Sequence, residues 1–158
     1  MLLRYFLQYN PRDYWNGWVS FTLQNAERQR HPDWAWHTFP LNRSLMFSWV
    51  NYYRLPRKYE IGIKYRYMSG LPYTELDLEN GRVGAYNARH YVAYNRLDLR
   101  ISKGITIRER TKMHFYLEAW NVFNTPNMFY RDSETEKMVN IGFEIPTTAI
   151  FIGLDWEF

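Results

Sequence analysis

Side-chain polarity alternates with a period of two residues along most of this chain. The alternation is clearest over residues 58–67, 96–102, 112–120 and 150–158. A period of two sends successive side chains to opposite faces of an extended strand, so these segments predict β-strands with one apolar and one polar face. A less regular form of the pattern, interrupted at Asn51, predicts further strands over residues 2–9, 15–24 and 43–54. We therefore predict seven strands and no helix.

The predicted connections alternate strictly between short and long. Short links cover residues 10–14, 55–57 and 104–110, and long links cover residues 25–42, 69–91 and 125–146. This alternation is typical of outer-membrane barrels, which have tight periplasmic turns and long extracellular loops. Strands of about ten residues also suit a tilted bilayer crossing. The sequence thus predicts an all-β fold, a segment of an antiparallel transmembrane β-barrel.

Residues 137–145 also alternate, with Val139, Ile141, Phe143 and Ile145 on one side. Two interpretations are open: an eighth strand, or an extension of the last long loop above the membrane. Because eight strands can close a small barrel, the first interpretation supports an alternative function. In that alternative the chain is a small stand-alone outer-membrane barrel with a structural or hydrophobic-ligand-binding role.

The composition excludes several other classes of protein. The 158 residues include 14 Tyr, 10 Phe and 7 Trp, far too many aromatic residues for a disordered segment. There is no cysteine, hence no disulfide scaffold, thiolate zinc site or cysteine nucleophile. The net charge of +4 is spread along the chain without a basic stripe, which argues against nucleic-acid binding. Aromatic residues instead end the apolar stripes, as at Trp49, Tyr53 and Tyr65, where membrane proteins place interfacial rings.

Several segments resemble the carboxy-terminal part of a TonB-dependent outer-membrane receptor. The resemblance lies in residues 95–101 (NRLDLRI), 115–124 (FYLEAWNVFN) and 150–158 (IFIGLDWEF), and also in 17–23 and 67–74, so it covers nearly the whole chain. It implies an outer-membrane location in a Gram-negative bacterium. It also implies TonB-coupled import of a scarce ligand, namely a siderophore complex, cobalamin or an oligosaccharide. Trp156 and Phe158 would then serve recognition by the barrel-assembly machinery.

Strand parity bears on how much of such a receptor is present. The last strand ends on the short-turn side, so counting back seven strands starts the chain on the long-loop side. We expect residues 1–158 to be the carboxy-terminal part of a barrel, with the plug domain and the amino-terminal strands absent. The contact with TonB would then belong to the missing plug segment.

The long loops hold the candidate ligand contacts, and a small-molecule ligand of unknown identity is the expected partner. The candidate ligand-contact residues are Trp34, Trp36, His37, Tyr86, Phe129 and Tyr130. The spacing of His31, Asp33 and His37 matches no closed metal-ligand set. Residues 75–79 (ELDLE) do not meet the EF-hand spacing and are better explained as a hairpin that turns at Asn80-Gly81. The charged tip at 131–137 is expected to face lipopolysaccharide and the lipid of the outer membrane.

Charged side chains alternate along the polar faces of the predicted fifth and sixth strands. They are Arg96, Asp98, Arg100, Lys112, His114 and Glu118. Two roles are open for these lumen-facing groups: salt bridges to a plug, or pairing across neighbouring strands, which we favour. No catalytic constellation, cofactor motif or metal set is present in the sequence, so we predict no enzyme, no cofactor and no metal.

Overall fold

Seven long strands form one antiparallel sheet in chain order, which confirms the predicted all-β fold and strand number. The structure is a computed structural model that describes residues 1–77, 82–108, 111–127, 130–131, 138–139 and 147–157. The strands are β1 (Leu2–Arg12), β2 (Trp15–Gln24), β3 (Leu45–Leu55), β4 (Tyr59–Met68), β5 (Tyr94–Arg108), β6 (Thr111–Trp120) and β7 (Ala149–Glu157). The sheet is open, with β1 and β7 as its two edges.

The connections follow the predicted alternation of short and long links. Between β3 and β4 the chain turns through a 3₁₀ segment, Pro56–Lys58, in which Arg57 and Lys58 both have φ of 62°. The fifth strand is longer than predicted, because the alternation of Ile105 and Ile107 with Thr106 carries the pairing with β6 on to Arg108. The predicted link at 104–110 therefore starts too early. Because β5 ends at Arg108 and β6 begins at Thr111, the link between them is shorter than predicted.

The long connections contain short strand pairs of two residues each. Glu27–Arg28 pairs with His37–Thr38, and Pro72–Tyr73 pairs with Arg89–His90. Leu76–Asp77 pairs with Arg82–Val83, so the chain forms the expected hairpin, although its Asn80-Gly81 tip lies outside the described residues. Met138–Val139 pairs with Tyr130–Arg131, and residues 140–146 also lie outside the described part, so the eighth strand stays an open prediction.

The strand register carries one set of side chains continuously across the sheet on each face. The apolar face consists of Leu3, Tyr5, Leu7 and Tyr9 (β1), Trp15, Gly17, Val19, Phe21 and Leu23 (β2), Leu45, Phe47, Trp49, Asn51, Tyr53 and Leu55 (β3), Tyr59, Ile61, Ile63, Tyr65 and Tyr67 (β4), Asn95, Leu97, Leu99, Ile101, Lys103, Ile105 and Ile107 (β5), Met113, Phe115, Leu117 and Ala119 (β6), and Ile150, Ile152, Leu154 and Trp156 (β7). The opposite, polar face carries the predicted charged groups of β5 and β6, and three clefts open on it.

Burial in this sheet is the reverse of that in a water-soluble protein. On the apolar face Ile101, Leu117 and Ile152 are 44%, 45% and 85% exposed. On the polar face Asp98 and Ser102 are buried at 8% and 7% exposure. A soluble sandwich packs its apolar faces together and turns the polar faces to water. Asp98 and Ser102 are thus buried while these aliphatic groups are uncovered, and the polar face also holds the buried Val50 and the exposed Lys64.

Asn51 is one of the polar residues on the apolar face, and two aromatic side chains hydrogen-bond to it. Its Oδ1 accepts hydrogen bonds from Tyr9 Oη at 2.7 Å and Trp15 Nε1 at 2.9 Å. The side chain is 1% exposed, and Gly17 makes room for it, since a Cβ there would lie 2.8 Å from Asn51 Oδ1. The amide is thus satisfied within an aromatic cluster, which removes the cost of a bare polar group on this face.

Candidate functional site

The predicted lumen residues of β5 form a tight ion pair on the polar face. Arg96 and Asp98 are two residues apart on one strand, so their side chains lie on the same face. Arg96 Nε lies 2.7 Å from Asp98 Oδ1, and the two side chains are only 13% and 11% exposed. The backbone N–H of Asn121 donates to the same carboxylate oxygen at 3.0 Å. Asp98 therefore ties β5 to the end of β6.

Arg100 joins three strands by weaker contacts. It lies directly opposite Glu118 in the register, with Nη1 3.5 Å from Glu118 Oε2, and Nη2 lies 3.5 Å from Asp155 Oδ2 on β7. Its guanidinium carbon sits 4.0 Å from the centroid of the Tyr116 ring. Because these groups are partly exposed, each ion pair contributes little by itself, and the arrangement matches pairing across neighbouring strands.

Trp120 connects the two ion-pair clusters, and sequence reasoning did not single it out. Its indole Nε1 donates to Glu118 Oε1, and the Arg96 guanidinium carbon lies 5.0 Å from its ring centroid. The Phe151 ring packs against it at 4.6 Å between centroids. The signal was present in the alternation, because Trp120 follows Glu118 by two residues and must share its face.

The segment after β6 is a turn built on two asparagines with left-handed backbones. Asn121 and Asn124 have φ of 52° and 51°, and Asn121 is fully buried. The Asn121 side chain donates to the Thr125 carbonyl at 2.9 Å and accepts from its N–H at 3.3 Å. Thr148, just before β7, donates its hydroxyl to the Asn121 carbonyl at 2.8 Å and its N–H to Asn124 Oδ1 at 3.2 Å. This turn fastens β5, β6 and β7 at the long-loop end.

Lys112 and His114 lie nearer the short-turn end of the polar face, where His114 is opposite Asp155 in the register. Together with Arg54, Lys58 and Glu60 they line a separate cleft with a volume of about 430 Å³. His114 packs against Gly104, where an added Cβ would lie 3.1 Å from the His114 Cε1. The structure thus divides the six predicted lumen residues between two places.

The first two long connections contact each other, which places some predicted ligand-contact residues together. The His37 and Tyr86 rings meet edge to face at 5.2 Å between centroids. Asn87 Nδ2 donates to the Thr38 carbonyl at 2.7 Å. Trp34 and Trp36 are 56% and 64% exposed. Phe129 and the side chain of Tyr130 lie outside the described residues, so their predicted contacts stay predictions.

Charged groups near these loops pair with one another. His31 Nδ1 lies 3.3 Å from Asp33 Oδ2, and Arg89 Nε lies 3.0 Å from Glu75 Oε2. Over the described ranges, His, Asp and Glu form no group of three or more that could hold a metal ion. Arg43, just before β3, donates from Nη1 to the Ser69 carbonyl at 2.8 Å, and burial lowers the pKa of its guanidinium, which nevertheless stays protonated.

At the end of the last strand, Trp156 lies on the apolar face opposite Met113 and is 64% exposed. Phe158 is outside the described residues. In the part of the chain that the structure describes, no helix is long and apolar enough to cross a membrane.

Comparison of the chain with known protein families, curated proteins and solved structures found no match. The chemistry of the candidate site follows from the geometry of its charged groups. Its carboxylates are held by arginines, an indole N–H and a backbone N–H, which makes the polar face a charged, hydrogen-bonded wall.

Proposed function

We propose that this chain forms part of the wall of a TonB-dependent receptor in the outer membrane of a Gram-negative bacterium. Residues 1–158 supply carboxy-terminal strands of the barrel, and the complete receptor imports a scarce ligand such as a siderophore complex, cobalamin or an oligosaccharide. The proposal includes no catalytic step and no cofactor.

The observation that carries the proposal is the reversed burial of the sheet. Apolar surface left in water costs about 25 cal/mol per Å², and the aliphatic groups of β5, β6 and β7 are largely uncovered. A bilayer removes this cost, because lipid chains solvate the apolar face. The interstrand ladders satisfy the backbone groups of the five inner strands, and further strands of the receptor barrel would pair with the open edges of β1 and β7, as a membrane-spanning sheet requires.

The arrangement of strands supports a receptor wall over a small closed barrel. The seven-stranded sheet is open, and its odd number of antiparallel strands leaves β1 and β7 running in the same direction. Pairing these two edges would be parallel, whereas membrane barrels of this class are antiparallel throughout. The segments that resemble the receptors occupy β2, the end of β4, β5, β6 with the asparagine turn, and β7, so they extend across the sheet.

In this proposal each surface has a partner. The polar face lines the lumen, where the Arg96, Asp98 and Arg100 cluster faces the plug. The long connections, with Trp36, His37 and Tyr86, face the outside, the lipopolysaccharide and the ligand. The barrel-assembly machinery recognises the strand that contains Trp156.

The test uses cells that produce the chain from its own gene. The membranes are fractionated, and uptake of labelled ferric siderophores, cobalamin and oligosaccharides is measured with TonB present and with TonB inactivated. We expect the chain in the outer-membrane fraction and uptake of one ligand class that is lost without TonB and without this gene. Recovery of the chain in the soluble fraction, or uptake that is indifferent to both deletions, contradicts the proposal.

A further inference from the structure

Arg12, the last residue of β1, lies opposite Trp15 beside a short turn, and Lys103 is a charged side chain within a row of the apolar face. Its row in the register consists of Leu55, Tyr59, Lys103, Phe115 and Leu154. A lysine in the hydrocarbon core of a bilayer is costly. Its presence in this row therefore indicates the depth at which the apolar face reaches the polar headgroups.

The position of Tyr59 shows on which side of the membrane this depth lies. Tyr59 is the first residue of β4 and directly follows the short turn Pro56–Lys58. Lys103 thus lies beside the β3–β4 turn, and on its own strand the exposed Ile105 and Ile107 continue the apolar stripe toward the β5–β6 turn. Arg57, in the β3–β4 turn, is exposed and adds a second positive charge near Lys103.

The geometry of Lys103 is that of a lysine reaching along an aromatic ring toward a polar boundary. Its Nζ lies 4.5 Å from the centroid of the Tyr59 ring and 2.9 Å from the Tyr59 hydroxyl. An ammonium group has three N–H donors, and the hydroxyl takes one of them. Two donors and the tyrosine O–H are available to an anion at the edge of the apolar face.

The neighbours of Lys103 select the kind of anion. Phe115, Leu154 and Leu55 are 45%, 47% and 42% exposed, so the cation lies between uncovered apolar side chains. A freely soluble anion gains nothing from these groups. A phospholipid suits both the cation and the apolar side chains around it. Its phosphate contacts the ammonium and the hydroxyl, while its acyl chains lie along the aliphatic and aromatic side chains.

We propose that Lys103 and Tyr59 bind the phosphate of an anionic phospholipid in the leaflet that faces the short turns. This inference rests on the proposed function, because it requires the apolar face to be in contact with lipid.

The experiment places the full chain in phosphatidylcholine vesicles that contain a trace of spin-labelled phosphatidylglycerol or spin-labelled phosphatidylcholine. The fraction of motionally restricted label gives the relative association constant of each lipid with the protein. We expect the wild type to prefer phosphatidylglycerol roughly fivefold, the contribution of one cation near a membrane surface. Lys103→Gln should lower the preference below about twofold, whereas Lys103→Arg should keep it.

A matched control and a salt titration make the result specific. Lys64→Gln removes an exposed lysine from the polar face and should leave the preference unchanged. In about 1 M salt the wild-type preference should fall, because charge interactions are screened within about 3 Å. A preference that survives both Lys103→Gln and high salt overturns the lipid site while the proposed function stands. If the wild type restricts neither spin-labelled lipid, the lipid site and the proposed membrane function both fail.

Discussion

The backbone N–H of Asn121 donates to Asp98 Oδ1 at 3.0 Å, on the same oxygen that Arg96 Nε approaches at 2.7 Å. One carboxylate oxygen thus fixes an arginine on its own strand and the start of a turn on the neighbouring strand. The charged group on the polar face and the asparagine turn at the long-loop end are consequently parts of one structure.

Replacing Asp98 should destabilise the chain strongly. Asp98→Ala leaves the buried Arg96 guanidinium and the Asn121 N–H without this acceptor, and we expect a loss of about 3 kcal/mol in the free energy of unfolding. Asp98→Asn keeps an oxygen acceptor without the charge and should cost less. Urea titration of the chain folded in vesicles measures both changes. Gln8→Ala, an exposed change on the same face far from Asp98, is the control and should stay within about 0.5 kcal/mol; equal losses for Asp98→Ala and Gln8→Ala would refute the role of Asp98.

The two left-handed asparagines should respond differently to substitution. Asn121→Ala keeps a Cβ at a φ of 52° but removes the side-chain hydrogen bonds. We expect it to lower the free energy of unfolding by about 2 kcal/mol. Asn121→Gly relieves the backbone but still loses the bonds to Thr125, so it should cost less than the alanine. Asn124 is exposed, and Asn124→Gly relieves its positive φ while losing the exposed bond from the Thr148 N–H, so the net effect should be close to neutral. The same urea titration ranks the three variants, and a larger loss for Asn124→Gly than for Asn121→Ala contradicts this account of the turn.

The turn between β3 and β4 should become more stable when its backbone strain is removed. Arg57 has φ of 62°, which costs a side chain with a Cβ about 1 kcal/mol, whereas asparagine tolerates this region better. We expect Arg57→Asn to raise the free energy of unfolding by about 0.5 kcal/mol or more. Arg12→Asn, at a residue of β1 whose φ is not positive, is the control. A destabilised Arg57→Asn would mean that the arginine side chain makes a contact worth more than the strain.

A charge on the apolar face should have opposite consequences in water and in lipid. Ile152 is 85% exposed, so Ile152→Arg should change the stability of a water-soluble protein by less than about 0.5 kcal/mol. On a lipid-facing surface the same change should cost about 2–4 kcal/mol near the middle of the bilayer. Folding yield and urea stability in vesicles distinguish the two cases. Gln8→Arg, on the polar face of the other edge strand, serves as the control and should be tolerated.

The strands were predictable from the sequence because the period of two is a local property of each segment. All seven predicted strands occur, and the faces assigned to Ile101, Asp98 and Glu118 agree with the register. The extension of β5 to Arg108 was missed because Gly104 and Lys103 interrupt the pattern, although the pairing with β6 continues through them.

The contacts that join distant segments were not predictable. The bond between Asn121 and Asp98 spans 23 residues, and the ring contact between His37 and Tyr86 joins two separate long connections. Such contacts depend on how turns and loops pack in three dimensions. Residue spacing along the chain carries no signal for them, whereas the side-chain period carries a strong one for the sheet.

The central claim is that the apolar face of the sheet contacts lipid, and it is tested most directly by measuring which solvent surrounds each face. Because the chain contains no cysteine, single nitroxide labels can be placed at Ile63, Ile101 and Leu117 on the apolar face and at Lys64 and Gln8 on the polar face. Relaxation by oxygen, which concentrates in lipid, and by a water-soluble nickel chelate is measured in vesicles. We predict that oxygen dominates at the three apolar-face labels and the nickel chelate at the two polar-face labels. If the nickel chelate reaches Ile63, Ile101 and Leu117 as readily as Lys64, or if neither reagent reaches them, the apolar face does not contact lipid and the account is wrong.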